Sequence, residues 1–297
     1  MGGGSYKSED WAKLKRSRNI AAGASHEQIF KATTIDAKFD PKYIAKREAL
    51  DSEEHPESTP IIIGLDVTGS MGYLASEIAN NALNETMMKL YSVKPVNDPQ
   101  LMFAAVGDVT DDAPLQVTQF ESDVRIGEQL LALWLELAGG DSPEDYELLW
   151  YFASKHTKID SFDKRGKKGI LFTIGDADIH MEVKSDMIKR IFAEESGTLT
   201  SAGILKDASE KYEIFHIHID KGNRMPQVIK NLLPGRIIRI GQDDINLIPE
   251  VIIGALRLIN GEKLDDVLKD VSKLSRPIVK NALSDIVINV SGKGIEF

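Results

Sequence analysis

The chain has 297 residues, of which 42% are hydrophobic and 28% charged, the composition of a water-soluble globular protein. A net charge of −10 argues against nucleic acid as the main partner. The absence of cysteine excludes disulfides, thiolate metal sites and cysteine nucleophiles, and fits a cytoplasmic setting.

Residues 1–59 are polar and weakly periodic, with a short basic segment at Lys13, Lys15, Arg16 and Arg18 that reads as a solvated arm. The start lacks the apolar core of a signal peptide, and Tyr6 stands where a myristoylation signal needs Ser or Thr. No apolar run approaches the ~18 residues of a membrane span. An acidic, proline-bounded stretch at 51–60 marks a domain boundary, so 1–59 is taken as an N-terminal extension.

After it, strands and helices alternate. Ile61 to Leu65 is a continuous apolar run of the buried-strand type. Leu74, Ile78, Ala82, Met87, Leu90 and Tyr91 recur at helical spacing. Leu101 to Val106 reads as a second strand and Leu115 to Phe120 as a third, at an edge. The spacing predicts helices over 126–137 and, opened by Pro143, over 143–156. Gly169 to Ile174, Tyr212 to Ile219 and Arg236 to Ile240 complete six strands, with helices over 183–193, 199–211 and 248–259. This order implies an α/β, Rossmann-like, doubly wound sheet: mostly parallel, one antiparallel edge strand, helices on both faces. Residues 263–297 read as a C-terminal helical extension, with an amphipathic helix over 262–274, an interruption at Pro277 and a strand at 286–290.

Chemistry concentrates at the carboxyl ends of the strands, where ligands sit in such sheets. The first strand runs into Asp66-Val-Thr68-Gly-Ser70, one carboxylate and two hydroxyls in a tight turn. Ser70 alone could be the N-cap of the next helix. A second strand ends at Gly175-Asp176-Ala-Asp178, a third polar loop reads Gly139-Gly140-Asp141-Ser142-Pro-Glu-Asp, and Asp108, Asp111 and Asp112 follow the second strand as a solvated turn. His216 and His218 share one strand face, a pair that suits zinc but reads more simply as packing, and His180 stands near Asp178.

With these residues in view, the stretch 60–262 resembles a von Willebrand factor type A (VWA) domain, in an intracellular subgroup. Such domains carry a metal-ion-dependent adhesion site (MIDAS) with the pattern Asp-x-Ser/Thr-x-Ser, matched by Asp66, Thr68 and Ser70. The family's next ligand is a threonine after a Gly-Gly pair, where this chain has Ser142, and its last is an aspartate matched by Asp176. The resemblance implies a non-enzymatic protein-interaction module. Its magnesium (or manganese) would be held by Asp66, Thr68, Ser70, Ser142 and Asp176, and a partner's Asp or Glu would complete the shell. Asp108, Asp141 and Asp178 would orient the ligands or metal-bound water from behind; Asp141 competes with Ser142 for the ion. Intracellular relatives accompany AAA+ ATPases, which makes such a machine the expected partner. Magnesium takes oxygen ligands, and neutral hydroxyls leave it electrophilic enough to accept that carboxylate.

Two other readings compete. Asp66-Val-Thr68 also resembles the phosphorylated-aspartate turn of haloacid-dehalogenase-type phosphatases, with Asp66 as nucleophile and Asp176 and Asp178 holding magnesium. The helical pattern from Met71 leaves no room for the flap those enzymes place there, and the 139–142 loop has no role in them. Alternatively the ion serves folding only, in a structural subunit.

Overall fold

A computed structural model describes residues 4–137, 143–222 and 225–288, apart from the side chain of Ser70. In chain order the strands are β1 (Arg47–Ala49), β2 (Thr59–Asp66), β3 (Pro99–Val106), β4 (Leu115–Val117), β5 (Thr157–Ile159), β6 (Gly169–Gly175), β7 (Glu182–Val183), β8 (Leu199–Thr200), β9 (Tyr212–Asp220) and β10 (Ile237–Gly241). The helices are α1 (Ser8–Ser17), α2 (His26–Ile29), α3 (Gly72–Glu77), α4 (Leu83–Val93), α5 (Arg125–Leu130), α6 (Tyr146–Lys155), α7 (Asp160–Arg165), α8 (Ser185–Phe192), α9 (Ser201–Lys211), α10 (Gln227–Leu232), α11 (Ile248–Ile259), α12 (Leu264–Val267) and α13 (Arg276–Leu283).

Six strands form the main sheet in the order β10-β9-β6-β2-β3-β4. All its pairings are parallel except β3 with β4 at the edge. The expected α/β, Rossmann-like class is therefore the observed one. Strands buried on both faces need apolar residues at every position, which is why Ile61, Ile62 and Ile63 are consecutive. Ile61, Ile63, Leu65, Phe103 and Phe172 face one core, with α3, α4 and α11. Ile62, Met102, Leu171 and Ile214 face the other, with α6, α8 and α9. Gly64 lies so close under α6 that a Cβ there would meet Leu149 Cδ2 at 2.3 Å. The chain leaves β2 to one side for β3 and later returns on the other side for β6. The end of β2 is thus the switch point where such sheets open a crevice.

Both flanks pack into this body. Trp11, Ile29 and Phe39 from the N-terminal side share a core with Ile63, Leu83 and Ile126. Trp11 packs against Gly127, where a Cβ would stand 2.3 Å from its ring. β1 pairs in parallel with β5, and Val267, Val279 and Leu283 close the same core from the C-terminal side.

Several elements are shorter than their periodicity suggests. The apolar run expected as a helix over 126–137 stays helical only to Leu130. Beyond it the Gln116 side-chain amide holds the Trp134 backbone, donating to its carbonyl at 2.7 Å and accepting its N–H at 3.0 Å. These bonds replace helical ones, while Leu131 and Leu133 stay buried. The helix expected from Pro143 starts at Tyr146, because the Glu144 N–H donates to the Asp178 carbonyl at 2.9 Å. The helix expected over 262–274 is the short α12 followed by a 3-10 turn at Leu268–Asp270. Pro277 does not interrupt a helix but opens α13, in whose first turn its missing N–H is harmless. Residues 286–288 form no strand, and 289–290 lie outside the described residues.

Candidate metal centre

β2 delivers Asp66 to the switch point with no exposed surface. The chain then folds back on the carboxylate. The Thr68 N–H and Oγ1 both donate to Asp66 Oδ1, at 3.0 and 2.7 Å. The Tyr146 hydroxyl, from the first turn of α6, donates to Oδ2 at 2.8 Å. Burial pushes the Asp66 carboxyl up to about 6 against the pull of these three donors, and Asp176 adds to the rise. Gly175 is the neighbour that permits this packing: a Cβ there would fall 1.9 Å from the Tyr146 hydroxyl and 2.8 Å from Asp66 Oδ2.

The helix after the turn is irregular. α3 and α4 are joined by a π-helical segment, Ile78–Ala82, in an otherwise continuous helical run. Such segments are rare and recur beside functional sites.

Asp176 follows β6 and pairs with Lys221 Nζ at 2.7 Å. That ammonium also stands 5.5 Å above the ring of Tyr73. Burial, then Asp176 and Asp66, raises the Tyr73 hydroxyl to about 12.

Asp178 has another task. Its carboxylate accepts the backbone N–H groups of Gln227, Val228 and Ile229 at 2.9, 3.0 and 2.9 Å, holding the start of α10. This engages it with a helix terminus rather than with the turn at Asp66. Ser142 and Asp141 lie outside the described residues, as does the Ser70 side chain.

Glu144 is the residue that sequence reasoning passed over. It is 5% exposed, and its Oε2 has no hydrogen-bond partner among the described residues. Burial raises its carboxyl to about 9, and the charges of Asp66 and Asp108 raise it further than the Thr68 hydroxyl lowers it. The signal was present in the acidic run after Ser142; what was missing was its distance from Asp66.

Asp108 and Asp111, expected in a solvated turn, are buried. Asp111 Oδ2 accepts the Asp108 N–H at 2.9 Å, and Asp108 Oδ1 accepts the Thr110 N–H at 2.7 Å. Asp145 is buried beside them, accepting the Val109 N–H at 2.7 Å and facing His180 Nδ1 at 3.1 Å. Asp108, Asp145 and His180 each bring one ligand atom within 4.8 Å of the others.

The rings of His216 and His218 lie 6.1 Å apart, and both are buried. His216 is enclosed between the Tyr146 ring, with centroids 5.1 Å apart, and Thr173, whose Oγ1 lies 2.9 Å from His216 Nδ1. Burial and the neighbouring His218 lower its imidazole to about 3, so it stands neutral behind the tyrosine that holds Asp66.

Asp66, Asp108, Asp111, Glu144, Asp145, Glu147 and Asp176 thus gather at one edge of the sheet, six of them buried. Lys221 pairs with Asp176, His180 faces Asp145, and Arg190 acts on Asp111. So many carboxylates in a low dielectric repel one another and favour either protons or a bound cation. The orphaned oxygen of Glu144 beside the Thr68 hydroxyl and the Asp66 carboxylate is an all-oxygen donor set that suits magnesium or manganese.

Neighbours among solved structures include a von Willebrand factor type A protein from Catenulispora acidiphila, at 12% identity and a TM-score of 0.43, covering 68% of this chain and 42% of that one. They also include the open conformation of the pilus adhesin SpaC from Lactobacillus rhamnosus GG, at 7% identity and a TM-score of 0.43, covering 73% of this chain and 31% of that one. The conserved hypothetical protein BatB from Bacteroides thetaiotaomicron matches at 13% identity and a TM-score of 0.42, covering 69% of this chain and 100% of that one. The chain spans less than half the length of the first two. No protein-family model and no curated protein matches the chain. No described helix is long and apolar enough to cross a membrane.

Proposed function

We propose that the protein is a divalent-cation-dependent protein-interaction module of the VWA type. The observation that carries this reading is the buried Asp66–Thr68 turn at the sheet's switch point, with the unsatisfied Glu144 oxygen beside it. Asp66, Thr68, Ser70, Ser142 and Asp176 hold magnesium or manganese, and Glu144 adds a carboxylate to that set. The ion supplies a Lewis-acidic position for a carboxylate of a partner protein. Tyr146 and the Thr68 N–H fix the Asp66 carboxylate before any ion arrives, which lowers the ordering that binding requires. Residues 60–262 carry the interaction, and 1–59 and 263–297 brace it. An AAA+ ATPase presenting Asp or Glu is the partner class this reading favours, in the cytoplasm.

Asp66 makes a poor nucleophile in this setting, since both oxygens are engaged and the side chain has no exposed surface. The test is affinity capture from native extract with and without chelator, comparing wild type with Asp66→Asn. Partners retained only by wild type with divalent cation support the module. Capture indifferent to both changes overturns it. An adduct of beryllium fluoride at Asp66 would assign a phosphatase instead. Thermal stabilisation by magnesium without any dependent capture would leave only a structural ion.

A further inference from the structure

Besides the turn at Asp66, a second group of ligating side chains comes together in the same region: Asp108, Asp145 and His180. Asp108 comes from the loop after β3, Asp145 immediately precedes α6, and His180 comes from the segment after β6. Three separate chain segments therefore converge, with one ligand atom each inside a 4.8 Å sphere of mutual distances. Asp108 and Asp145 are buried, while the His180 side chain is 37% exposed and leaves a path from solvent.

The one close pair in the group has the spacing of two ligands on one ion. Two ligand atoms roughly 2.1 Å from one metal and at octahedral or tetrahedral angles stand about 3.0–3.4 Å apart, and trans ligands about 4.2 Å. Asp145 Oδ1 and His180 Nδ1 are 3.1 Å apart, an adjacent-ligand spacing.

An independent observation points the same way. Glu147, in the first turn of α6, has no exposed surface, and among the described residues no donor meets either of its carboxylate oxygens, which lie against the Asp145 carboxylate. Its charged neighbours are Asp145 and then Asp108, the two carboxylates of the group. A glutamate buried without a donor beside two more carboxylates is costly unless a proton or a cation is shared among them, and the partly exposed His180 gives a cation its way in. The Val109 N–H and the Thr110 N–H already fix one oxygen each of Asp145 and Asp108, orienting them as second-layer bonds orient metal ligands.

We infer that Asp108, Asp145 and His180, backed by Glu147, form a second divalent-cation site that takes a borderline ion of the zinc or manganese class. The imidazole sets its preference. Zinc accepts mixed nitrogen and oxygen ligands, whereas magnesium prefers oxygen alone. The inference does not rest on the proposed role of Asp66, because it shares none of that site's ligands.

The test is zinc titration of the purified full chain by calorimetry, followed by the ring resonances of His180 in NMR spectra. The expected result is one zinc equivalent that survives excess magnesium and shifts the His180 ring signals. His180→Ala and Asp108→Asn should each weaken zinc binding at least tenfold, with far-UV circular dichroism confirming the fold, and Thr68→Val should leave it intact. Zinc affinity unchanged in His180→Ala, ready displacement by magnesium, or no zinc binding by wild type would each overturn the inference. Loss of chelator-sensitive partner capture in Asp66→Asn with zinc binding retained would separate the two sites. Capture that persists in a protein binding no zinc would sink this inference and leave the proposed function standing.

Discussion

The hydroxyl of Tyr146 donates to Oδ2 of Asp66 at 2.8 Å, joining the first turn of α6 to the end of β2 across 80 residues of chain. The bond is buried at both ends, and it settles the orientation of the carboxylate on which the proposed metal chemistry depends. Tyr146→Phe keeps the ring and its packing on His216 while removing the donor. Loss of a buried hydrogen bond to a charged group should lower stability by about 1.5–3 kcal/mol in chelator. Urea denaturation with and without magnesium checks this. The deficit should shrink when the ion is present, and an equal deficit in both conditions would detach Tyr146 from the metal reading.

Glu144 makes a prediction of the opposite sign. A buried carboxyl with an unsatisfied oxygen, facing Asp66 and Asp108, strains the metal-free fold. Glu144→Gln keeps nearly the same volume and removes the need to protonate a carboxyl on folding. In chelator at neutral pH it should raise stability by about 1–2 kcal/mol, in the range of a relieved unsatisfied buried group. It should also reduce the thermal shift produced by magnesium. Scanning calorimetry of both proteins reads the two effects together, and a Gln variant less stable than wild type in chelator would refute the account.

The acid limb of stability should carry the signature of His216. Its imidazole is lowered to about 3 in the folded protein by burial and by His218, against an ordinary value near 6.5. The unfolded chain therefore binds more protons between these values. Stability from this group is complete above about pH 6.5 and is lost as pH falls towards 3, by about 2–4 kcal/mol. Asp66 and Glu144, whose carboxyls are raised, act in the other direction, so the comparison must be with a variant. His216→Asn should show a shallower decline between pH 6.5 and 4 in urea unfolding. Parallel declines would mean that His216 does not stay neutral in the fold.

The N-terminal flank offers a test away from the metal centre. Trp11 is 4% exposed and covers Gly127, which has no Cβ to hold it away. Trp11→Ala should destabilise the whole protein by about 3–5 kcal/mol, the range for deleting a buried aromatic side chain. One cooperative transition, shifted down, is the expected outcome in thermal unfolding. An unchanged main transition would show the flank to be dispensable for the sheet domain.

The alternation of apolar strand and amphipathic helix was legible because burial on both faces of a parallel sheet leaves a local pattern. Ile61 to Leu65, Leu101 to Val106 and Gly169 to Ile174 could be little else. The positions of Asp66 at the end of β2 and of Asp176 just after β6 were legible for a related reason, since the strands themselves were. Burial of the flanks was not legible: Trp11 and Phe39 are isolated apolar residues in a polar stretch, and their partners lie a hundred or so residues away.

The sequence by itself determined the class of sheet, the strand ends at which chemistry would collect and the hydroxyl-rich turn after β2. Periodicity and turn chemistry are properties of neighbouring residues. Tertiary structure alone decided that Asp178 serves the start of α10, that Asp108 and Asp111 are buried rather than solvated, and that Glu144 faces Asp66 with an oxygen left over. Those outcomes depend on distances between segments far apart in the chain, and on how much water the packed helices exclude from a carboxylate.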